Sequence, residues 1–209
     1  MPTTAISIPE TEERVESKIA ETILDFLGRI PITNEIKSDI PIDRARSITS
    51  AAAAKAAITS GSLALPPGPL GWLTILPELV AIWKIQAQMV ADIAGTFGKD
   101  ASLTREQMFY CLFRHTAAQA VRQLVVQVGE RFLVRRVSLR ASQTIAKKVG
   151  IRITQRVIGK GVSRWLPIVG ALGVAGYAYY DTGQVAHTAI GLFQQVIEFE
   201  PEQPLHEDV

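Results

Sequence analysis

Two long stretches of the chain contain no charged residue, and any fold must either bury them or place them in a membrane. Residues 56–77 read AAITSGSLALPPGPLGWLTILP, and residues 165–180 read WLPIVGALGVAGYAYY. A membrane-spanning helix needs about 20 consecutive, predominantly apolar residues. The second stretch is shorter than this, and the first contains four prolines and three glycines, which prevent one straight helix. The sequence therefore predicts that neither stretch is an ordinary transmembrane span.

A basic segment leads into the second uncharged stretch. Residues 131–164 contain ten Lys or Arg residues and no Asp or Glu. Five of these bases follow one another at four-residue steps and so wind over one side of a helix: Lys148, Arg152, Arg156, Lys160 and Arg164. Isoleucines and valines between them fall on another side, which is the pattern of a cationic amphipathic helix. Such a basic face either is solvated, alone or paired with the acidic N-terminal helix, or binds the phosphates of a membrane.

Charge is distributed unevenly along the chain. Residues 1–50 hold nine acids against six bases, and the last twelve residues hold five acids and no Lys or Arg. The single cysteine, Cys111, cannot form an intramolecular disulfide, which favours a reducing compartment. The N-terminal residues lack the basic and apolar regions of a signal peptide. We therefore expect a cytoplasmic protein that associates peripherally with a membrane.

The fold class follows from the spacing of the apolar residues. These residues recur at intervals of three and four along most of the chain, and no segment alternates convincingly as a strand. The pattern predicts helices over 11–28, 43–57, 73–95, 104–128, 131–158 and 165–199, with Pro77 inside the third helix and an interruption of the fifth near Gly150. The predicted fold is all-α, a compact bundle of about seven helices with Gly/Pro-rich apolar segments. A disordered lead (1–10) precedes this single helical domain (11–199), and an acidic tail (200–209) follows it.

Small residues line one side of the last predicted helix. Gly170, Gly173 and Gly176 recur at three-residue spacing among alanines. Small residues in this arrangement allow two helices to approach to backbone contact, as in membrane helix pairs. The alternative is a core helix packed tightly against the alanine-rich stretch 51–57. Trp165 and three tyrosines bracket the segment, and such aromatic residues prefer a membrane interface.

Motifs that carry catalysis or bind metal are missing from the sequence. There is no phosphate-binding P-loop, no G-x-S-x-G, no H-E-x-x-H and no C-x-x-C. The three histidines, His115, His187 and His206, do not have metal-ligand spacing. The sequence therefore predicts no catalytic residue, no metal site and no cofactor.

Two groups of residues leave an alternative open. Cys111 and His115 lie four residues apart on one helix face. They form either a reactive thiol–imidazole pair or a buried thiol beside a helical histidine that does not activate it. Three acids lie in apolar surroundings: Glu78, Asp92 and Asp181. They either form a buried ion pair with Arg114 or Arg122, bind a metal, or act as catalytic groups of an enzyme.

Three stretches together resemble the EcsC family of bacterial helical proteins. They are LALPPGPLGWLTILPELVAIWKIQAQMVADIAGTFGKD at 63–100, the arginine-rich middle, and RWLPIVGALGVAGYAYYDTGQVAHTA at 164–189. The resemblance covers roughly 51–193, and the family often has Tyr at the position of Phe97. It implies a bacterial helical protein, cytoplasmic or membrane-associated, and it implies no agreed enzymatic mechanism.

These observations favour a non-enzymatic protein that docks on anionic bilayers through its basic helix. Docking would be followed by insertion or permeabilisation, as in an effector of bacterial conflict, antiviral defence or stress. The predicted membrane-binding residues are Arg140, Lys147, Lys148, Arg152, Arg156, Lys160, Arg164, Trp72 and Trp165. The alternative is a soluble adaptor whose basic face binds an acidic protein partner. A homo-oligomer stays open, whereas nucleic acid is not expected as a partner because no aromatic residues interleave the bases.

Overall fold

The computed structural model describes residues 8–63, 71–159 and 167–200, with side chains described over 16–26, 28–62, 77–155 and 173–200. These residues form six α-helices: α1 (Ile8–Leu27), α2 (Pro41–Leu63), α3 (Gly71–Thr96), α4 (Arg105–Val121), α5 (Leu139–Gly159) and α6 (Pro167–Phe193). A 3-10 turn covers Asp100–Ser102. Three short strands complete the order: β1 (Val125–Val128), β2 (Arg131–Arg135) and β3 (Val196–Glu200). The predicted helical fold is confirmed, but the described residues also contain a small sheet.

The sheet corrects the prediction that no segment forms a strand. Residues 125–128 and 131–135 were expected in helices, yet β1 and β2 pair antiparallel, with Val125 opposite Val134 and Val128 opposite Arg131. A two-residue loop joins them, and Gly129 in this loop has φ +61°, which glycine adopts without steric cost. Strand β3, expected as the end of the last helix, pairs parallel with β2. The helix predicted over 165–199 therefore ends at Phe193.

Helices α1, α2 and α3 lie close to their predicted positions. Helix α2 starts at Pro41, with Asp43 in its first turn, and continues beyond the predicted end to Leu63. Proline is favoured at the first helical position because its missing N–H would have no partner there. Helix α3 contains Pro77, as predicted. Residues 64–70, in the middle of the Gly/Pro-rich stretch 56–77, lie outside the described residues.

Helix α4 begins at a capping box. Thr104 accepts a hydrogen bond from the backbone of Gln107, and the Gln107 side chain accepts one from the backbone of Thr104, so two free N–H groups are satisfied. Ala117 has non-helical dihedral angles (φ −136°, ψ 48°) and kinks the helix. The helix ends at Val121 rather than near Val128, because the chain then enters β1.

The core lies where α3 and α4 meet the other helices. Trp83 of α3 meets Phe113 of α4 edge to face at 5.5 Å between ring centroids, and Phe109 lies beside Phe113 at 5.3 Å. Every other described helix adds buried apolar residues to this region, as does the β1–β2 hairpin. Helix α5 packs on α1 and α4 from outside. One side of α5 therefore faces the core, and the opposite side faces outward.

Candidate docking face and buried polar cluster

Four basic residues of α5 form an exposed surface, which we call the docking face: Arg140, Lys147, Lys148 and Arg152. The opposite side of the helix is buried, through Ile145, Ala146, Val149 and Ile153. The 3.6-residue helical period separates the two sets, because the basic and apolar positions fall on opposite arcs. Burial of the apolar arc therefore fixes the bases outward.

The bases of the docking face have no acidic partner in the described part of the chain. The described ion pairs join other residues, such as Arg44 with Glu35 and Arg131 with Glu198. Although α1 is rich in acids and packs against α5, no described carboxylate of α1 lies within 4 Å of a docking-face base. Unpaired charges on one face add up to a local positive potential.

The remaining predicted membrane-binding residues cannot be placed in this face. Arg156 lies in α5 and Trp72 in α3, but their side chains are outside the described set. Lys160, Arg164 and Trp165 fall outside the described residues altogether. The structure thus brings four of the nine predicted residues together, and the others stay predictions.

The predicted close helix contact at the glycines of α6 is not found among the described residues. Gly173 and Gly176 are exposed, and a Cβ atom built on either would meet no described atom within 4 Å. The burial of Gly170 is outside the described set. Helix α6 does pack against α2, as one alternative expected, but buried Ala178 and Ala56 lie at this contact, together with Ile82 of α3. The contact therefore uses alanines, and Ala178 lies two residues after Gly176.

The exposed part of α6 carries aromatic residues instead. Tyr177, Tyr179 and Tyr180 are 44%, 51% and 62% exposed, and Val174 is 37% exposed. A tyrosine side chain combines an apolar ring with a polar hydroxyl, which suits the boundary between lipid and water. Residues 174–180 of α6 thus present an apolar and aromatic surface.

A buried polar cluster joins α3, α4 and α6. Nε2 of His115 lies 2.6 Å from Oδ1 of Asp181, and the two side chains are 14% and 16% exposed. Gln86 donates a hydrogen bond from Nε2 to Oδ2 of Asp181 at 2.8 Å. Burial alone would raise the pKa of Asp181, but the bonds from His115, Gln86 and Tyr177 and the charge of His115 outweigh it, so that this pKa is lowered. The cluster therefore holds an ionised carboxylate between three helices.

The geometry of His115 differs from that of a catalytic triad. In a triad the two ring nitrogens face different partners: one nitrogen accepts the proton of the nucleophile, and the other donates a hydrogen bond to the carboxylate. Here Oγ1 of Thr116 lies 2.9 Å from the same Nε2 that faces Asp181. Nδ1 is buried and has no hydrogen-bond partner among the described residues. The arrangement suits a link between helices better than a proton relay.

Cys111 does not pair with His115 in the way that a reactive thiol would. The thiol is fully buried, and this burial raises its pKa. A cysteine attacks or binds metal as the thiolate, which a raised pKa disfavours. The imidazole of His115 is instead directed to Asp181. Of the two interpretations of the sequence, the structure therefore fits a buried thiol beside a helical histidine.

The two other predicted acids have polar partners that are not arginines. Ser60 of α2 donates a hydrogen bond to Oε1 of Glu78, and Asp92 accepts bonds from Thr33 at 2.7 Å and from Gln88 at 2.9 Å. Arg114 lies over the ring of Tyr110 instead, 5.3 Å from its centroid. The predicted ion pairs with Arg114 or Arg122 are therefore wrong for the described residues. No group of three or more potential metal ligands occurs within 8–63, 71–159 and 167–200.

The contact between His115 and Asp181 was not predicted from the sequence. The two residues are 66 positions apart, and no spacing rule links them. The one available signal was Asp181, which is the single Asp, Glu, Lys or Arg residue of α6 and requires a partner if the fold buries it.

Comparison of the chain with protein-family models, with curated proteins and with solved structures gives no match. The resemblance to the EcsC family therefore stays a prediction. Within the described ranges, none of the helices combines the length and the apolarity that crossing a membrane requires.

Proposed function

We propose that the protein docks on anionic bilayers through the docking face of α5. The observation that carries this proposal is the set of four exposed bases, Arg140, Lys147, Lys148 and Arg152, without a described carboxylate within 4 Å of any of them. An exposed base near an anionic membrane contributes about 1 kcal/mol to binding. Four such bases together would raise the partition coefficient about a thousandfold.

The exposed tyrosines of α6 supply a second step in this proposal. Tyr177 bonds to Asp181 of the buried polar cluster, whereas Tyr179 and Tyr180 are 51% and 62% exposed. After electrostatic docking, the rings of Tyr179 and Tyr180 would enter the interfacial layer of the bilayer. Attraction by the bases acts at long range and depends on salt, whereas burial of the rings does not depend on salt.

Flotation of the purified protein with liposomes tests the proposal. Vesicles of phosphatidylcholine containing phosphatidylserine should bind the protein at low salt, and vesicles of phosphatidylcholine alone should not. Binding should weaken steeply as salt rises, because the Debye length falls to about 8 Å at physiological ionic strength. Absence of binding to the anionic vesicles at low salt would overturn the proposal, and binding that is equal at high salt would remove its electrostatic basis.

A matched pair of variants locates the interaction. Replacing the four docking-face bases with Gln should abolish flotation and leave the melting temperature unchanged, because all four are exposed. The control replaces four other exposed bases with Gln: Arg29, Lys55, Lys84 and Arg105. Both variants lose the same charge, so an equal loss of binding in the two would show that only net charge matters. A soluble adaptor would instead bind an acidic protein through this face and no vesicle.

A further inference from the structure

A groove of about 1050 Å³ lies between the C-terminal part of α4 and the outer side of α5. We call it the cationic groove, after the three bases in its wall. It is lined by Thr116, Ala117, Ala118, Gln119, Ala120, Arg122, Lys148, Ile151, Arg152 and Gln155. Two of these, Lys148 and Arg152, also belong to the docking face, whereas Arg122, the C-cap residue of α4, does not.

The charges of the cationic groove are all of one sign. Arg122, Lys148 and Arg152 line it, and no acidic residue does. None of the three side chains lies within 4 Å of a carboxylate in the part of the chain that the structure describes. Like charges around one cavity repel one another, and a bound anion removes this repulsion. The groove therefore has the charge of an anion site.

The chemistry of the three bases indicates the kind of anion. Two guanidinium groups offer planar pairs of N–H donors that match the oxygens of phosphate, and the Lys148 ammonium adds a compact charge. The side-chain amides of Gln119 and Gln155 also line the groove and can donate further hydrogen bonds. A phosphomonoester carries a charge of about −1.5 to −2 at pH 7, which matches three bases better than the single charge of a phosphodiester.

The wall on the α4 side is held in place by the buried polar cluster. The kink at Ala117 lies within the wall. Thr116, the preceding residue, contacts Nε2 of His115, which is itself bonded to Asp181. A wall fixed from behind reduces the ordering that a ligand must impose on binding.

We propose that the cationic groove binds a phosphomonoester group, either on a lipid headgroup or on a small soluble molecule. For a lipid headgroup the inference rests on the proposed docking function, since Lys148 and Arg152 serve both. For a soluble phosphomonoester it stands independently of docking. Arg122 belongs to the groove alone, while Arg140 and Lys147 belong to the docking face alone, and this difference allows the two proposals to be tested separately.

Titration calorimetry with glycerol 3-phosphate tests the groove in solution. The wild-type protein should bind glycerol 3-phosphate and should bind dimethyl phosphate, the diester control, more weakly. Arg122→Gln should weaken glycerol 3-phosphate binding about tenfold, since a charge-assisted hydrogen bond is lost, and Arg140→Gln should leave it unchanged. Arg152→Gln provides a second groove variant on another helix. Equal binding of the monoester and the diester, or no effect of either groove variant, would overturn the proposal.

Vesicles then distinguish the source of the phosphate. If the ligand is a lipid, vesicles with phosphatidylinositol 4-phosphate should bind more tightly than phosphatidylserine vesicles of equal surface charge, and Arg122→Gln should remove this preference. If the ligand is soluble, glycerol 3-phosphate binds and the vesicle preference is absent. Failure of all vesicle binding with glycerol 3-phosphate binding intact would reject the docking function and keep the groove. Tighter, Arg122-dependent binding of a single-stranded oligonucleotide would overturn the phosphomonoester proposal.

Discussion

His115 and Asp181 tie α4 to α6 through a contact of 2.6 Å between Nε2 and Oδ1. Gln86 of α3 donates to the other carboxylate oxygen, so one acidic side chain connects three helices. These are also helices of the main core, where Trp83 and Phe113 meet. A buried charge without a partner is costly, and the bonds to Asp181 offset this cost only while all three helices keep their positions. The contact thus favours one arrangement of these helices.

The first prediction concerns acid stability. Because the pKa of Asp181 in the fold lies below its ordinary value of 3.8, its ionised form favours the folded state. This contribution is complete above pH 3.8 and is lost as the pH falls through the lower pKa of the folded state. Asp181→Asn should lower the free energy of unfolding at pH 7 by about 1–3 kcal/mol and should flatten the decline of stability in acid.

Urea unfolding between pH 2 and pH 7 measures both effects. Asp39→Asn serves as the control, because Asp39 is exposed and its loss should leave the curve close to that of the wild type. If Asp181→Asn and the wild type lose stability in parallel as the pH falls, the ionised link to His115 is not present.

A second prediction concerns the close approach of the linker 29–40 to α3. A Cβ atom on Gly95 would lie 2.7 Å from the carbonyl oxygen of Glu35 and 3.1 Å from Cγ2 of Thr33. The backbone oxygen cannot turn aside as a flexible side chain could, so Gly95→Ala should destabilise the fold by about 1–3 kcal/mol. Thermal unfolding should show a lower melting temperature.

Gly176→Ala is the matched control for this prediction. Gly176 is also helical, but a Cβ atom there meets no described atom within 4 Å. Alanine favours a helix over glycine by about 0.5–1 kcal/mol, so this variant should melt at the wild-type temperature or above. Equal melting of both variants would contradict the position of the linker on α3.

The sequence predicted the helices whose local signals agree with their surroundings. The helix predicted to start at 104 begins directly after Thr104, Pro77 lies inside α3 as predicted, and the spacing of apolar residues located α1. The docking face was also predictable, because four bases and the buried apolar residues of α5 follow one helical period. In each case the information lies within a few neighbouring residues.

The sheet needed information that short windows do not contain. The segment VVQVGERFLV has β-branched residues on both sides of Gly129, which is a hairpin signal, but helical spacing was preferred for it. Strand β3 pairs with β2, about 65 residues earlier, through Val196 opposite Arg131. Gly150, predicted as an interruption, is instead buried within α5. Glycine at this position leaves room for the backbone of α1 and does not interrupt α5.

That role of Gly150 gives a third prediction. A Cβ atom there would lie 3.0 Å from the carbonyl oxygen of Glu16 in α1. Gly150→Ala should therefore push α1 away slightly and lower the free energy of unfolding by about 1 kcal/mol. Flotation with anionic vesicles should be unchanged, because the docking face lies on the opposite side of α5. An Ala variant more stable than the wild type would indicate that α1 does not lie against α5 at this point.

The last prediction concerns the junction between α6 and β3. Lys99, just after α3, donates hydrogen bonds from Nζ to the carbonyl oxygens of Phe193 and Gln195. Phe193 is the last residue of α6 and Gln195 lies two residues beyond it, so the ammonium is close to the C-terminal end of the helix, where intrahelical partners end and a positive charge is favourable. Burial lowers the pKa of Lys99, yet the ammonium is held by two acceptors.

Lys99→Met keeps most of the side-chain volume and removes both bonds, so it should lower the free energy of unfolding by about 1–3 kcal/mol. The loss should also be local, since Lys99 anchors the residues directly before β3. Amide hydrogen exchange over Val196–Glu200 should accelerate more than exchange in the β1–β2 hairpin, which has its own turn. Lys84→Met, at an exposed position of α3, should change neither. Uniform acceleration across the whole sheet would mean that β3 is held by its pairing with β2 and not by Lys99.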